Sequence, residues 1–218
     1  MTTTDRPLPP TPALPSRRRS HRLMLAAALW PVVAWRPARA QAPLRPTPAQ
    51  TEGPFYPVNL PADTDFDLLR LGAAAYAKGQ PCWLEGQVRG TGGQPLAGAV
   101  VEIWQCDAEG HYRHPGDGDR ADPAFQAFGR VVADAQGRYR FRTIRPVAYS
   151  GRTPHIHVKV KQGQRTLLTT QLYVAGDPGN ARDFLWRRLG EADRAALTVP
   201  FAPGADGLRA SFDIVVVA

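Results

Sequence analysis

The run Arg138-Tyr-Arg-Phe-Arg-Thr-Ile144 alternates strictly, a period of two that an extended strand sorts onto two faces. Similar short runs recur at 83–88, 99–105, 129–134, 155–161, 166–174 and 211–217. Between them lie turn formers, drawn from 22 prolines, 20 glycines and many aspartates, and Gln136-Gly137 is a hairpin-type turn. Only 183–197 has a helical pattern, with Asp183 or Asn180 as its cap, and 63–71 has the composition of a short helical turn. No internal repeat is visible. The spacing predicts an all-β fold, a β-sandwich with one short helix in its C-terminal region. Function in such a fold belongs to the long loops at one end.

The N-terminus has a different character. Ser16-Arg-Arg-Arg-Ser-His-Arg22 precedes an apolar stretch, Leu23 to Trp35, and then Ala38-Arg39-Ala40. A basic region, a short apolar region and an Ala-x-Ala site in that order read as an export signal over residues 1–40. The apolar stretch is too short for a bilayer span and Pro31 interrupts it, so no permanent membrane anchor is expected. The arginine run suggests the twin-arginine route, although Ser20 and His21 are more polar than usual there, and the route stays open. Those forty residues hold seven arginines against one acidic residue, six of the eight net positive charges. The remainder is nearly balanced, which removes charge as an argument for nucleic-acid binding. Residues 41–50, rich in Pro and Ala, are expected to be a flexible lead-in, and 51–218 to form one domain. Cys82 and Cys106 flank predicted strands; in an exported chain they are open between a disulfide and two buried thiols.

The chemistry concentrates at Tyr149-Ser-Gly-Arg152-Thr-Pro-His155-Ile-His157. His155 and His157 fall on one face of a strand, with Cα atoms roughly 6.6 Å apart, a spacing that lets two imidazoles converge on one metal ion. His111, His114, Asp107 and Glu109 are candidates to complete such a site, which would suit zinc or ferrous iron. Tyr149 and Tyr112 are candidates of another kind. A phenolate is a hard anionic donor that suits Fe³⁺, and a trivalent ion can depress the phenol pKa from ~10 by several units.

Several separated motifs bear on that choice. They are Trp104-Gln105-x-Asp107-x-x-Gly110-x-Tyr112, Tyr139-x-Phe-x-Thr-Ile-x-Pro146, Tyr149, and Arg152-Thr-Pro-His155-Ile-His157. Thr170-Gln171-Leu-Tyr173, Gly176-Asp-Pro178 and Gly53-Pro54-Phe55-Tyr56 belong with them. In this order, over roughly residues 51–217, they resemble the intradiol ring-cleavage dioxygenases, the protocatechuate and catechol enzymes. The resemblance implies one non-haem Fe(III) per chain, held by Tyr112, Tyr149, His155 and His157. It implies that Tyr149 is the ligand that leaves as a catecholate chelates, and that Arg152 and Gln171 line the substrate ring. Pro54, Phe55 and Tyr56 are candidates for the substrate pocket. The implied reaction inserts both atoms of O2 between two hydroxylated ring carbons, giving a cis,cis-muconate-type diacid.

The chain departs from the family in places. Pro146-Val-Ala-Tyr149 stands where the family often has Pro-Gly-x-Tyr, which puts the approach of Tyr149 in question. The Tyr149-to-His155 stretch is shorter than in protocatechuate dioxygenases, and there is no room for the helical dimerisation domain of catechol enzymes. Substrate preference and assembly, a homo-oligomer included, are therefore left open. A non-catalytic exported sandwich, transthyretin-like or carbohydrate-binding, is the alternative, since the strand pattern fits it equally.

Overall fold

The structure is a computed structural model that describes residue 2 and residues 42–218. Apart from Thr2, the expected export signal lies outside the described residues.

A small hairpin, β1 (Arg70–Leu71) and β2 (Ala74–Ala75), precedes the body. The body strands are β3 (Pro81–Gly90), β4 (Val100–Trp104), β5 (Phe128–Val132), β6 (Arg138–Ile144), β7 (His155–Gln162) and β8 (Arg165–Val174). Two short helices follow, α1 (Phe184–Arg188) and α2 (Glu191–Leu197). The chain closes with β9 (Thr198–Val199), β10 (Ala202–Gly204), β11 (Gly207–Ser211) and β12 (Ile214–Val216).

These make the two sheets of a sandwich. In the first, β3 pairs antiparallel with β6 and parallel with both β11 and β12, and β10 lies outside β11. The second has the order β5-β4-β7-β8-β9. β11 and β12 keep one register along β3 and part only at Phe212-Asp213. There the Phe212 carbonyl turns toward Gly86, where a Cβ would come within 2.0 Å of it, and accepts the Tyr139 hydroxyl proton. Tyr139 is thus committed to the sheet.

Leu84 and Val88 of β3, Phe141 of β6, Ile103 of β4, and Ile156 and Val158 of β7 meet between the sheets with no exposed surface. On the other face of β7, His155, His157 and Lys159 are buried as well. The covering there is a second, smaller cluster made by strand ends and loops: Trp104, Cys106, Tyr112 and Phe128, flanked by Phe55, Tyr56, Val147 and Tyr149.

Three expectations need correction. Residues 63–71 form no helix. The Asp65 and Asp67 carboxylates accept from the Asp67 and Leu69 amides, and Leu68 and Phe66 bond to Arg142 at the edge of β6. Local side-chain turns and sheet pairing outcompete the helix. The helical run 183–197 breaks at Leu189-Gly190 into α1 and α2. The expected lead-in is strapped down: the Leu44, Thr47 and Gln50 amides donate to the carbonyls of Thr91, Val215 and Thr169. Cys82 and Cys106 are buried free thiols. Among the described residues no helix is long and apolar enough to cross a membrane.

Candidate metal centre

Cross-strand register assembles the floor of the site. Trp104, His157 and Gln171 lie in one row across β4, β7 and β8, and His155 pairs with Tyr173. The Trp104 indole stacks on His157 with centroids 4.8 Å apart and 9° between planes. The Nε2 atoms of His155 and His157 face each other at 3.2 Å. His155 Nδ1 lies 2.7 Å from the Thr153 carbonyl, which can only accept, so Nδ1 carries the proton and Nε2 presents a lone pair. Burial, reinforced by Arg152, pushes the His155 pKa down to about 4. His157 is pushed well down by burial and by His155. Both rings are neutral at ordinary pH.

Two loops bring in the tyrosines. The β4–β5 loop is folded around Asp107, whose Oδ1 accepts from the Glu109 and His111 amides and Oδ2 from Asp122. Asp117 accepts from the Tyr112 amide, so the Tyr112 backbone is held on both sides. The second loop makes a two-residue turn with Ser150 (φ 38°) and Gly151 (φ 77°) in the left-handed region, and Arg152 donates to the Tyr149 carbonyl at 2.7 Å. Where the loops meet stands Gly110, φ +86°, at which a Cβ would sit 3.3 Å from Tyr149 Cβ and 3.2 Å from the Ala148 carbonyl. Val147 and Ala148 keep ordinary negative φ, so the missing family glycine leaves no backbone strain.

The Tyr112 ring lies edge-on to Tyr149 at 4.9 Å between centroids, and Tyr149 is 5.4 Å from His155. The Tyr112 hydroxyl is buried and has no partner in hydrogen-bond geometry among the described residues, although the Tyr149 hydroxyl is close enough to act on it. Burial, then the neighbouring Tyr149, pushes its pKa well up. Tyr149 is also raised by burial, with Arg152 pulling the other way. A buried hydroxyl with no partner is costly, at about 1–3 kcal/mol. A cation that takes its oxygen as a phenolate would remove that cost. Among the described residues no group of three or more His, Cys, Asp or Glu could hold a metal ion. The alternative third ligands are occupied elsewhere: Asp107 by its loop, His114 Nδ1 by the Gly116 amide at 2.9 Å, and Glu109 by Lys78. His111 Nδ1 lies 3.5 Å from Asp117. The donors present, two imidazole nitrogens and two phenol oxygens, fit a hard trivalent ion.

Arg152 and Gln171 are brought to the same place. Arg152 Nη2 donates to Gln171 Oε1 at 2.7 Å, and its Nε donates to Asp183 Oδ2 at 2.7 Å. Gln171 Nε2 donates to the Thr51 carbonyl, and the Tyr173 hydroxyl, which donates to Gln50 Oε1 at 2.7 Å, lies 3.2 Å from Gln171 Oε1. The pocket candidates divide. Phe55 stacks on Tyr112 with centroids 4.5 Å apart and stands edge-on to Tyr149. Tyr56 instead donates to Glu102, packs on Trp104 and lies under the Lys159 ammonium. Pro54 is exposed, and the Cβ position of Gly53 lies 3.4 Å from the His157 ring. A cavity of about 310 Å³ opens beside Tyr112, with Trp104, Phe55 and Phe128 in its wall. Trp104 and Asp183 were not assigned to the site from sequence. Trp104 lies in a quoted motif, whereas Asp183 shows locally only as a helix cap.

A sequence model of the family described as Dioxygenase matches residues 51–217. The protocatechuate 3,4-dioxygenase beta chain of Burkholderia cepacia is 34% identical over 200 residues, 83% of each chain. The chain belongs to the intradiol ring-cleavage dioxygenases. This dioxygenase is also 33% identical over 156 residues to the catechol 1,2-dioxygenase of Pseudomonas sp. (strain EST1001), 63% of this chain but 50% of that one. It spans about half the length of such catechol and hydroxyquinol relatives. Among solved structures it resembles the dioxygenase domain of a dioxygenase carbohydrate-binding protein fusion from Streptomyces sp. SirexAA-E. That match has 34% identity and a TM-score of 0.64, over 80% of this dioxygenase and all of that domain.

Proposed function

We propose that the protein is a non-haem Fe(III) dioxygenase that opens a catechol-type ring between its two hydroxylated carbons. With O2 it would give a cis,cis-muconate-type diacid. The observation that carries this reading is the convergence of Tyr112, Tyr149, His155 and His157, two of them neutral imidazoles and one an unpartnered buried phenol. Ferric iron bound there would supply Lewis acidity toward a catecholate.

The chain's own side chains divide the remaining work. As the phenolate that bound iron would produce, Tyr149, on a turn beside Arg152 and less deeply buried than Tyr112, is placed to take a proton from an incoming catechol hydroxyl. Arg152 and Gln171, locked to each other, present fixed donors to negative charge that develops on the ring oxygens. Phe55, Trp104 and Phe128 give the cavity on the tyrosine side an apolar wall. The reading includes export, on the strength of the Arg-rich, apolar and Ala-x-Ala segments. A protein recovered from the cytoplasm with residues 1–40 intact by mass spectrometry would remove that part.

The test is optical. The purified protein with one iron per chain should absorb visible light through phenolate-to-iron charge transfer and change colour with catechol, with oxygen uptake. Tyr112→Phe and Tyr149→Phe should each lose or shift the band, and Tyr139→Phe should keep it because its hydroxyl serves Phe212. A colourless protein with stoichiometric iron would sink the proposal.

A further inference from the structure

Asp183 has no exposed surface, yet it lies outside the four converging side chains. Its acceptor positions are all in use. Oδ1 takes the Leu185 and Trp186 amides, each at 2.9 Å, as a helix cap does. Oδ2 takes the Thr153 amide at 3.0 Å and Arg152 Nε at 2.7 Å. Capping α1 requires only the first oxygen, and Asn or Ser would serve. The second oxygen and the negative charge have another use.

That use is Arg152, whose side chain is 11% exposed and would be an uncompensated buried cation without a carboxylate beside it. The guanidinium is gripped at two points, Nε by Asp183 and Nη2 by Gln171 Oε1. Gln171 is itself fixed, through Nε2 to the Thr51 carbonyl. The same guanidinium faces the Tyr149 and Tyr173 hydroxyls, whose pKa values it pulls down against burial. A planar fork held at two of its nitrogens has one orientation. Asp183 also holds the Thr153 amide, and the Thr153 carbonyl sets the proton of His155. One carboxylate therefore connects the start of α1, the Arg152 fork and the backbone that orients a histidine.

We propose that Asp183 is a positioning residue that holds Arg152 in its working orientation. The inference deepens the function proposed above and rests on it for its catalytic consequence. Asp183 touches neither substrate nor metal in this account; it acts through Arg152.

The test uses Asp183→Asn, which preserves a competent helix cap but removes the charge and turns an amide donor or a neutral oxygen toward Arg152. In the iron-loaded protein with unsubstituted catechol, kcat should fall on the order of 10–100-fold, with wild-type iron content and resting visible band. A second measurement needs no metal: denaturant unfolding of the metal-free wild type, Asp183→Asn, Arg152→Gln and the double variant. The double variant should lose less stability than the two single losses added, because removing both charges leaves no orphan. Wild-type kcat and KM in Asp183→Asn, or strictly additive losses, would overturn the proposal. Absence of oxygen uptake by the iron-loaded wild type would instead overturn the functional reading, and the unfolding cycle would still decide whether the two residues are coupled.

Discussion

At the scale of single residues, burial sets the protonation of the four candidate ligands, in opposite directions for bases and acids. The two imidazoles are kept neutral, which a metal ligand requires, while the phenols are held protonated until a cation compensates them. The same effect acts on the cysteines. Burial pushes both Cys82 and Cys106 from 9.0 up to about 12. Their native thiolate fraction at pH 8 is negligible, and only the thiolate reacts. We expect almost no alkylation by iodoacetamide of the native protein at pH 8, and two labels per chain after denaturation, counted by mass spectrometry. Two labels without denaturant, or a chain that takes none until reduced, would contradict the buried free thiols. The linkage sign follows: the native state binds these protons more tightly, so their contribution is complete below pH 9 and is lost as pH rises toward 12.

At the scale of elements, the site depends on segments that the sheets alone would leave loose. Residues 42–50 cross from the Val215 strand to β8, where Gln50 Oε1 accepts from Tyr173 at 2.7 Å and the Pro48 carbonyl accepts from Thr170. The Tyr173 hydroxyl also lies 3.2 Å from Gln171 Oε1, so the strap ends one contact from the Arg152 fork. Deleting residues 42–50 should lower the thermal midpoint by several degrees, since a few net hydrogen bonds contribute about 0.5–1.5 kcal/mol each. It should also reduce kcat by loosening Gln171. An unchanged midpoint and unchanged oxygen uptake would show that the strap is dispensable. Its tethering was not legible because a Pro- and Ala-rich stretch has no strand pattern, and its bonds run to residues far along the chain. The 63–71 segment misleads for a related reason, since Asp65 and Asp67 form their own local turns.

At the scale of the whole molecule, the fold and the metal centre draw on separate parts of the protein. The main core lies between the sheets, while His155 and His157 lie on the outer face of the second sheet and Tyr112 and Tyr149 on the loops that cover it. Removing iron with a reductant and a chelator should therefore leave the far-UV circular dichroism of the sandwich intact. The midpoint should fall, because iron held by these four side chains would bind the native state alone. Cooperative loss of the sheet signal on chelation would mean instead that the metal holds the fold. Period-two runs and turn residues determined the sandwich, because face selection in a strand is local: Tyr139 and Phe141 point inward by alternation. The spacing of His155 and His157 and the order of the motifs marked the candidate ligands for the same reason. Only tertiary structure decided that Asp107 and His114 serve their own loop and that Tyr56 serves Glu102. It alone joined Asp183 to Arg152, 31 residues away in sequence, because a contact between distant segments depends on how loops pack over a sheet, which no local pattern encodes.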